Sequence, residues 1–519
     1  MDQANLEASR DTGEAVFFFG SVAVERGGVT RVILSRARLL AEQGVKVRIL
    51  LSAHRLREDV EEAELRKIWK LPPSVEFRYF WREAPPGGQA GAVAPGATAT
   101  RESGLTAFPA AWGDGGTVVR FYRDGLLVKN KFFAPDGVLH RIDRVDPARR
   151  TTSREYFDVH GRIVYVDQVN PATNKATLRR FLDRQGGCWL TVWLTAGTTD
   201  GAAVVHSSPP VAYEEFGDLF ARWADDVLAE SRAPVIFSDS RVWDRAALAV
   251  RHPGARRVAM VHNCHTVKPY RSTDATRPTW KVFAENIQAF DTVVVPTHAQ
   301  RDHLAERYGA SNLVVVNHPS HPGTAKAITR RTGRLVVIAR HEYQKRLDHA
   351  IRAFAIAAAK VPEAYLDIFG SGTKTEQLQA LVTELGLADR VTFKGFTHDA
   401  AEEFASSQAT VLSSWYEGFP LVLMLAMGAG TPFVAYDVNY GPSEVIRDGV
   451  DGVLVPPGDI EAMGAALARI LGDVDYALAM GERAREVAER FSEQRWAQEW
   501  TDLYLAHVGD DVRVDDVRV

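Results

Sequence analysis

The stretch Ser413-Ser414-Trp415-Tyr416-Glu417-Gly418-Phe419-Pro420 joins a β-favouring run at residues 410–412 to a longer apolar run at residues 421–436. Glycine, threonine and proline at residues 428–432 break the longer run, which is also shorter than the roughly 20 residues of a membrane span. The pattern predicts a strand, a turn with a carboxylate at its tip, and a buried helix that leads into another buried strand. This order is typical of a parallel sheet built from βαβ units.

The same alternation of apolar β-favouring runs and helical patterns extends in both directions from this turn. The runs of the C-terminal half lie at residues 335–338, 365–369, 391–393, 410–412, 433–435 and 453–455. Those of the N-terminal half lie at residues 16–19, 45–51, 235–237, 258–261, 293–295 and 313–316. Two doubly wound α/β halves are therefore predicted, with residues 318–323, rich in proline and histidine, as the hinge between them.

The length of 519 residues corresponds to about three structural units. An aromatic-then-glycine pattern with Asp-Gly and His-Gly turns recurs between residues 118 and 194 and predicts an antiparallel β-meander inserted into the first half. As an explanation of the repeat, hairpin punctuation alone is at least as good as a binding role. The predicted segments are an N-terminal Rossmann-like domain at 13–83 and 201–318, a flexible Ala/Gly/Pro-rich loop at 84–116, the inserted sheet at 117–200, a C-terminal domain at 319–490, a helix at 491–507 and a disordered tail at 508–519.

The composition excludes several classes of protein. Lys and Arg total 62 against 66 Asp and Glu, a net charge of −4, so the chain has no global positive field for a nucleic acid. Its two cysteines are too few for a disulfide framework. Residues 1–14 lack the basic and apolar regions of a signal peptide, so we expect a cytoplasmic protein. Any phosphate chemistry must be local.

Three elements point to a phosphate ligand. Gly27 and Gly28 lie between a predicted strand and helix, where glycine lets an anion approach the backbone. Arg340 and Lys345 follow the first strand of the second half, where two cations can clamp a diphosphate. Glu417 can accept hydrogen bonds from sugar hydroxyls at the start of the next helix. Taken singly, each has an ordinary alternative, respectively a tight turn, a solvated charged loop and a helix cap.

Taken together, the motifs resemble the C-terminal half of glycosyltransferase family 4. The resemblance is carried by Arg340 and Lys345, the turn at 370–372, and residues 391–396, 417–420 and 449–455. It implies the GT-B fold, two Rossmann-like domains facing a cleft, and a retaining enzyme that uses a nucleotide-sugar. Residues 436–444 and the inserted sheet are similar to the branch of poly(glycerol-phosphate) α-glucosyltransferases, wall teichoic acid α-N-acetylglucosaminyltransferases and serine-rich adhesin glycosyltransferases.

The resemblance also implies a role for individual residues. Gly27 and Gly28 match the glycine loop over the donor phosphates, and Arg340 with Lys345 matches the pair that neutralises the diphosphate leaving group. Glu417 faces the donor sugar, and His262 meets it near the reacting carbon. His265 is a weaker candidate for that contact. The remaining candidates for substrate binding are Gly418, Phe419, Pro420, Leu421 and His398.

One position departs from the family pattern. The family's second glutamate falls eight positions after the first and bonds the ribose hydroxyls, and this chain has Leu425 there. Hydrogen bonds of that kind each contribute about 0.5–1.5 kcal/mol, and more when charged. Either the nucleotide binds more weakly, or another group takes over, or activity is lost. Glu444 cannot be assumed to substitute.

The expected function is therefore a retaining transfer of glucose or N-acetylglucosamine from a UDP-sugar to a polymeric acceptor, a teichoic acid polyol phosphate or a protein Ser/Thr, without metal or other cofactor. Leu425 motivates an alternative, a non-catalytic GT-B subunit or chaperone that assists a partner glycosyltransferase. A dinucleotide oxidoreductase is disfavoured because Gly27-Gly28 lacks the Gly-x-Gly-x-x-Gly spacing.

The acceptor and the assembly stay open at this point. Cations of the insertion are the candidates for a cleft that binds a phosphate polymer, with a solvated sheet surface as the alternative: Lys129, Lys131, Arg141 and Arg144. Peripheral association with the inner face of the membrane and an oligomer formed through the inserted sheet are further hypotheses.

Overall fold

A computed structural model describes residues 13–20, 28–53, 58–85, 91–113, 115–195, 201–320 and 328–508. The chain divides into two compact units with the boundary after Arg257. Within the described ranges, no helix has the combination of length and apolar character needed to traverse a lipid bilayer. Gly27, residues 321–323 of the predicted hinge and residues 509–519 of the predicted tail lie outside the described residues.

The first unit contains a parallel and an antiparallel sheet. Its elements are β1 (Gly13–Phe19), α1 (Gly28–Glu42), β2 (Lys46–Leu51), α2 (Glu58–Trp69), β3 (Val75–Tyr79), α3 (Phe80–Glu83), β4 (Ala92–Val93), β5 (Thr106–Trp112), β6 (Gly116–Arg123), β7 (Leu126–Phe133), β8 (Leu139–Val145), β9 (Thr151–Phe157), β10 (Arg162–Asn170), β11 (Lys175–Leu182), β12 (Cys188–Trp193), β13 (Ala203–Val205), β14 (Val211–Tyr213), α4 (Phe216–Leu228), β15 (Ala233–Ser238) and α5 (Asp244–Ala249).

The parallel strands of this unit follow the order β15-β1-β2-β3. All seven residues of β1 are buried, as expected for a strand covered on both faces. Phe17 of β1 stacks on Phe237 of β15 with ring centroids 4.8 Å apart. The parallel βαβ pattern predicted for the N-terminal end is therefore present.

The antiparallel sheet is a meander in which β5 to β14 each pair with their neighbours in sequence, and β4 pairs with β10. The predicted inserted meander is confirmed, but the sheet extends over residues 92–213 instead of 117–200. The prediction of a flexible loop at 84–116 is wrong where β4 and β5 lie. Strand β5 reads Thr-Ala-Phe-Pro-Ala-Ala-Trp and is the last strand of the sheet path, an edge position that tolerates Pro109.

The second unit carries two sets of parallel strands. Its elements, beginning with a strand that starts at the boundary, are β16 (Arg256–Met260), α6 (Lys281–Glu285), β17 (Thr292–Val295), α7 (His298–Tyr308), β18 (Leu313–Val315), β19 (Arg334–Ile338), α8 (Leu347–Lys360), β20 (Tyr365–Phe369), α9 (Thr375–Glu384), β21 (Val391–Gly395), α10 (Ala400–Ala405), β22 (Ala409–Leu412), α11 (Leu421–Gly428), β23 (Phe433–Tyr436), α12 (Pro442–Val445), β24 (Gly452–Val455), α13 (Ile460–Gly472), α14 (Val474–Ala484), α15 (Val487–Arg490) and α16 (Glu493–Val508).

The larger sheet of the second unit has six described strands in the order β21-β20-β19-β22-β23-β24, all parallel. Side chains alternate between its two faces. Leu335 and Val337 of β19 join a core with α8, α9 and α13, whereas Val336 joins a core with α10 and α11. This is the predicted doubly wound arrangement. Strand β19 pairs with β20 on one side and β22 on the other, so the strand order reverses there, and ligands of such sheets bind at that edge.

Candidate active site

The loops that follow β19 and β22 are bonded to each other at this reversal point. The Trp415 N–H donates to the Gln344 carbonyl over 2.8 Å, and Gln344 Nε2 donates to the Tyr416 carbonyl over 2.9 Å. The Ser413 hydroxyl donates to the Lys345 carbonyl at 2.9 Å. These bonds fix residues 339–346 and 413–420 as one surface at the carboxyl ends of adjacent strands.

Lys345 and Glu417, both predicted as site residues, form an ion pair on this surface. Lys345 Nζ lies 2.7 Å from Glu417 Oε1, with the two side chains 18 % and 8 % exposed. The backbone around Glu417 is fixed as well, because its N–H donates to Asn439 and its carbonyl accepts from the Tyr440 N–H, each over 2.9 Å. A charge-assisted bond in a largely water-excluded position holds the carboxylate in one place.

Arg340 lies on the same loop but takes no part in that pair. It is exposed, and among the described residues its guanidinium has neither a hydrogen bond nor an ion pair. The nearby Glu342 carboxylate accepts instead from the Thr373 N–H at 3.1 Å and the Thr373 hydroxyl at 2.9 Å, and these bonds lower the pKa of Glu342. Arg340 is therefore a cation at the sheet edge that is available to an anionic ligand.

His262 lies beside the turn that carries Glu417. A Cβ at Gly418 would overlap the backbone of His262 and Asn263, so the glycine is required for this close approach. The half-buried His262 ring stacks on His318 at 5.8 Å, and His318 meets Phe419 edge-on at 5.5 Å. The structure thus brings the predicted His262 next to the predicted Gly418 and Phe419.

The other residues of the turn start helix α11. Pro420 is its N-cap in an extended conformation and Leu421 is its first residue, as the sequence predicted for a helix beginning near Pro420. Leu425, one turn further on, is half-buried and packs against the apolar core of α11 with β22 and β23. The position of the family's second glutamate is therefore occupied by an apolar side chain that is partly packed against the core and partly exposed.

Glu444 serves elsewhere in the second unit. Its carboxylate accepts from the backbone N–H groups of His298 at 3.0 Å and Ala299 at 2.9 Å and lies 3.2 Å from His298 Nδ1. A carboxylate at the start of α7 is stabilised by the unpaired N–H groups of the first turn. Glu444 is thus engaged as a helix cap in this structure.

The remaining predicted residues are not joined to the Lys345–Glu417 pair. His398 is exposed and contacts Phe396 edge-on at 5.0 Å, with no hydrogen bond between its ring and any described residue. Gly28 is the exposed first residue of α1 in the other unit. His265 is 1 % exposed, and its ring stacks at 6.2 Å on Tyr440. Burial lowers the pKa of His265 to about 4, and neither of its ring nitrogens has a hydrogen-bond partner in the described part of the chain.

Sequence reasoning missed a group of residues beside the pair. The segment after β16 brings cations and an aromatic ring against the two loops, forming what we term the cation–aromatic strip: Lys268, Tyr270, Arg277, Tyr343, Trp415 and Tyr416. The Tyr270 and Tyr416 ring centroids are 4.3 Å apart, and the Arg277 guanidinium lies 4.1 Å from the Tyr416 centroid. Residues 266–280 carry no motif. The only sequence signal for the strip is the pair of adjacent aromatic residues, Trp415 and Tyr416, in the turn at 413–420.

Comparison with known proteins identifies the fold class. A crystal structure of a Staphylococcus aureus TarM mutant, in complex with fondaparinux, alpha-GlcNAc-glycerol and UDP, aligns over 95 % of this chain and 99 % of that chain with a TM-score of 0.76 and 17 % identity. A likeness at this identity shows the fold alone, and it confirms the predicted GT-B architecture.

Two family models then match the sequence. Residues 326–487 match the model described as Glycosyl transferases group 1, and residues 176–320 match Glycosyltransferase Family 4. The chain therefore carries glycosyltransferase domains of the group 1 and family 4 types, which confirms the family that its motifs resemble. The group 1 match contains Arg340, Lys345 and Glu417.

Two curated relatives show how far the similarity extends. An exopolysaccharide phosphotransferase of Streptomyces coelicolor is 38 % identical over 233 residues, 44 % of this chain and 24 % of that protein. The poly(glycerol-phosphate) alpha-glucosyltransferase of Bacillus subtilis is 25 % identical over 388 residues, 71 % of this chain and 56 % of that protein. This chain thus spans about a quarter and about half of their lengths. The second relative confirms the similarity to the predicted branch.

Proposed function

We propose that this protein is a retaining glycosyltransferase that moves a hexosyl group, glucose or N-acetylglucosamine, from a UDP-sugar to a polymeric acceptor. The observation that carries the proposal is the partly buried Lys345–Glu417 pair at the reversal point of the six-stranded sheet, inside the group 1 glycosyltransferase match. The name of the Bacillus subtilis relative and the UDP in the TarM complex support the choice of donor and acceptor class.

The reaction requires stabilisation of a departing diphosphate. As the bond between the sugar anomeric carbon and the UDP oxygen breaks, negative charge grows on the phosphate while the sugar becomes oxocarbenium-like. Arg340, free of a protein partner among the described residues, and the Lys345 ammonium are the cations that we assign to this charge. The acceptor hydroxyl oxygen bonds to the anomeric carbon, and its proton passes to the leaving phosphate oxygen.

Glu417 and His262 then have positioning roles. Lys345 engages Glu417 Oε1, and we assign Oε2 to a hydroxyl of the donor sugar. The His262 backbone lies in close contact with Gly418, next to Glu417. We therefore assign His262 and Glu417 to the same bound substrate. Such pre-set geometry removes the cost of orienting the groups during the reaction.

For the acceptor we propose a teichoic acid polyol phosphate, with a protein Ser/Thr as the other member of the predicted class. The first choice is supported by the activity after which the Bacillus subtilis relative is named. We propose that the reaction takes place in the cytoplasm at the inner face of the membrane. Phe108 and Trp193 of the antiparallel sheet, 56 % and 46 % exposed, are the side chains through which we propose oligomer formation.

A non-catalytic GT-B subunit is the second candidate because Leu425 places an apolar side chain where the family has a carboxylate. Calorimetry with UDP and turnover of UDP-glucose and UDP-N-acetylglucosamine, with poly(glycerol phosphate) as acceptor, separates the two candidates. The enzyme should bind UDP and transfer one of the sugars with retention of the anomeric configuration. Absence of both UDP binding and turnover would support the non-catalytic subunit and overturn the proposal.

A further inference from the structure

We propose that the cation–aromatic strip is the acceptor site and that it binds the phosphodiester backbone of a polyol phosphate chain. This inference rests on the proposed transferase function and assigns its acceptor contacts to particular residues. The strip joins the segment after β16 to the loops after β19 and β22. Lys268 Nζ lies 4.9 Å from the Trp415 ring centroid and donates to the Tyr343 hydroxyl at 3.1 Å.

The two strip cations from the segment after β16 have no carboxylate partner. Among the described residues, neither Lys268 nor Arg277 forms an ion pair, whereas their neighbours Arg271 and Arg346 pair with Asp274 and Asp348 at 3.3 and 3.0 Å. Cations that the protein does not neutralise are the ones that can exchange counterions for the phosphates of a polymer.

The strip also presents buried donors that lack an acceptor. Arg277 Nε donates to the Thr266 carbonyl at 2.9 Å, but its Nη2 is buried without a hydrogen-bond partner in the described part of the chain. Trp415 Nε1 is buried and unpaired in the same sense. Such groups cost free energy unless a ligand or water satisfies them. We assign phosphate oxygens of the bound chain as the acceptors for these two donors.

The aromatic rings fit the carbon part of the same ligand. Tyr343 is 48 % exposed, and Trp415, Tyr416 and Tyr270 are half-buried, so none of these four side chains is fully closed off from solvent. A polyol phosphate alternates short C–H-bearing segments with anionic phosphates. Ring faces suit the first and cations suit the second, which is the combination that binds single-stranded phosphodiester chains in other proteins.

The strip is adjacent to the reacting groups along the chain. Trp415 and Tyr416 immediately precede Glu417, and Gln344, which bonds to both, immediately precedes Lys345. A polymer lying on the strip would therefore present its hydroxyl groups next to the Lys345–Glu417 pair. A Ser/Thr-rich peptide would give Lys268 and Arg277 no regularly repeated anion, so we assign the strip to the phosphate polymer.

The test measures polymer binding apart from donor binding. Titrations use poly(glycerol phosphate) at several salt concentrations and UDP separately, with wild type, Lys268→Gln and Arg277→Gln. Each substitution should weaken polymer binding about tenfold, because a charge-assisted contact is lost, and should reduce its salt dependence. UDP affinity should stay within about twofold of wild type. In transfer assays, the KM for the polymer should rise with kcat little changed.

The control is Lys360→Gln. Lys360 is an exposed lysine at the far end of α8, a helix of 14 residues and hence about 20 Å long that begins beside the strip. It should leave both affinities unchanged. Arg277→Lys, which keeps the charge, should recover part of the polymer affinity if Arg277→Gln acts through charge and not through misfolding.

Three outcomes overturn the assignment. The first is UDP binding by the wild type with polymer affinity that does not depend on Lys268. The second is equal loss in Lys360→Gln and Lys268→Gln. The third is preferential binding of a Ser/Thr-rich peptide to the strip, detected as a loss of peptide affinity in Lys268→Gln. Failure of the wild type to bind UDP at all contradicts the proposed function instead, so the two failures are distinguishable.

Discussion

The four cations of the insertion that were predicted as acceptor contacts and the cations of the candidate site differ in what neutralises them. In the sheet, Lys129 and Lys131 both bond to Glu102, at 2.6 and 2.7 Å, and Arg141 bonds to Asp143 at 2.7 Å. Arg144 bonds to Glu155. At the site, by contrast, Arg340, Lys268 and Arg277 have no carboxylate partner among the described residues, whereas Lys345 pairs with Glu417 and Arg346 pairs with Asp348.

This difference separates the two sets of cations as candidates for binding a phosphate polymer. Lys131 is fully buried and also donates to the Ala97 and Ala99 carbonyls, the latter at 2.8 Å, so it fastens residues 96–102 to the sheet and cannot contact a polymer. The hypothesis that the insertion provides a basic cleft loses its main support. A count of lysines and arginines therefore does not locate an anion site, because a carboxylate in contact with a cation offsets part of the field that the cation supplies at a distance.

The largest expected effect follows from removing the charge of Lys345, which is paired with Glu417. Lys345→Met leaves the buried Glu417 carboxylate without its partner, which should destabilise the protein by about 3–5 kcal/mol. It should also lower transfer of the sugar by about 100-fold or more, since one preorganised charge is lost. Thermal unfolding and initial rates with saturating UDP-sugar measure the two effects.

A double variant, Lys345→Met with Glu417→Leu, separates stability from chemistry. It removes both charges and should restore most of the stability but none of the activity. Turnover of the single variant within about twofold of wild type would show that Lys345 has no part in the reaction, and the site would then resemble the neutralised cations of the sheet.

The sequence predicted the two kinds of sheet better than it predicted where the antiparallel sheet begins and ends. The parallel halves and the hairpins can be predicted from local patterns, such as the apolar run of β1 and the Asp-Gly turns. A buried strand has an apolar sequence, so its burial is visible in its own residues. Edge strand β5 cannot be predicted from such a pattern, because it is exposed and contains Pro109. Its composition is that of a loop. The predicted bounds of the antiparallel sheet are therefore narrower than the observed ones.

For the site, the family motif located Lys345 and Glu417, and the structure joins them. Nothing local in the sequence places Arg277 against Tyr416, because residues 139 positions apart meet only through the packing of β16 and the segment after it. The pairing of Lys131 with Glu102 is equally invisible in a linear reading. Motifs therefore predict candidate residues for a site, and tertiary structure decides which charges stay unpaired.

A second prediction concerns His265, a buried ring without a hydrogen-bond partner among the described residues, and the pH dependence of the free energy of unfolding. Burial holds the pKa of His265 at about 4, against 6.5 in the unfolded chain, so protonation favours unfolding. The stability contributed by the neutral ring is complete above pH 6.5 and is lost as the pH falls toward 4, by about 3 kcal/mol in all.

His265→Phe keeps a ring in this place but cannot be protonated. Urea unfolding between pH 7.5 and pH 4 should therefore show that the variant gains on the wild type by about 3 kcal/mol over the interval. The comparison uses the change with pH, so a constant packing difference between the two proteins drops out. Parallel curves would mean that His265 is not the buried neutral group that the structure shows.

A third prediction adds a carboxylate to the cation-rich site. Leu425→Glu should tighten UDP about tenfold if the ribose hydroxyls lack an acceptor in the wild type, because hydrogen bonds to a charged group contribute about 1.5–3 kcal/mol and part of this is offset by desolvation. Leu425→Gln should give a smaller gain and Leu425→Met none. Calorimetry with UDP measures all three, and equal affinities throughout would show that Leu425 does not limit nucleotide binding.

The smallest effect is expected in the antiparallel sheet, and it tests the comparison most directly. Arg144 is 51 % exposed and paired with Glu155, so Arg144→Gln should change the free energy of unfolding by less than about 1 kcal/mol. It should also leave the affinity for poly(glycerol phosphate) unchanged, because the charge that it removes is already balanced within the sheet. Lys268→Gln, an equal loss of charge at an unpaired position, should weaken the same affinity about tenfold. If Arg144→Gln instead weakens polymer binding as much as Lys268→Gln does, pairing with a carboxylate does not silence a cation here, and the acceptor surface must extend to the antiparallel sheet.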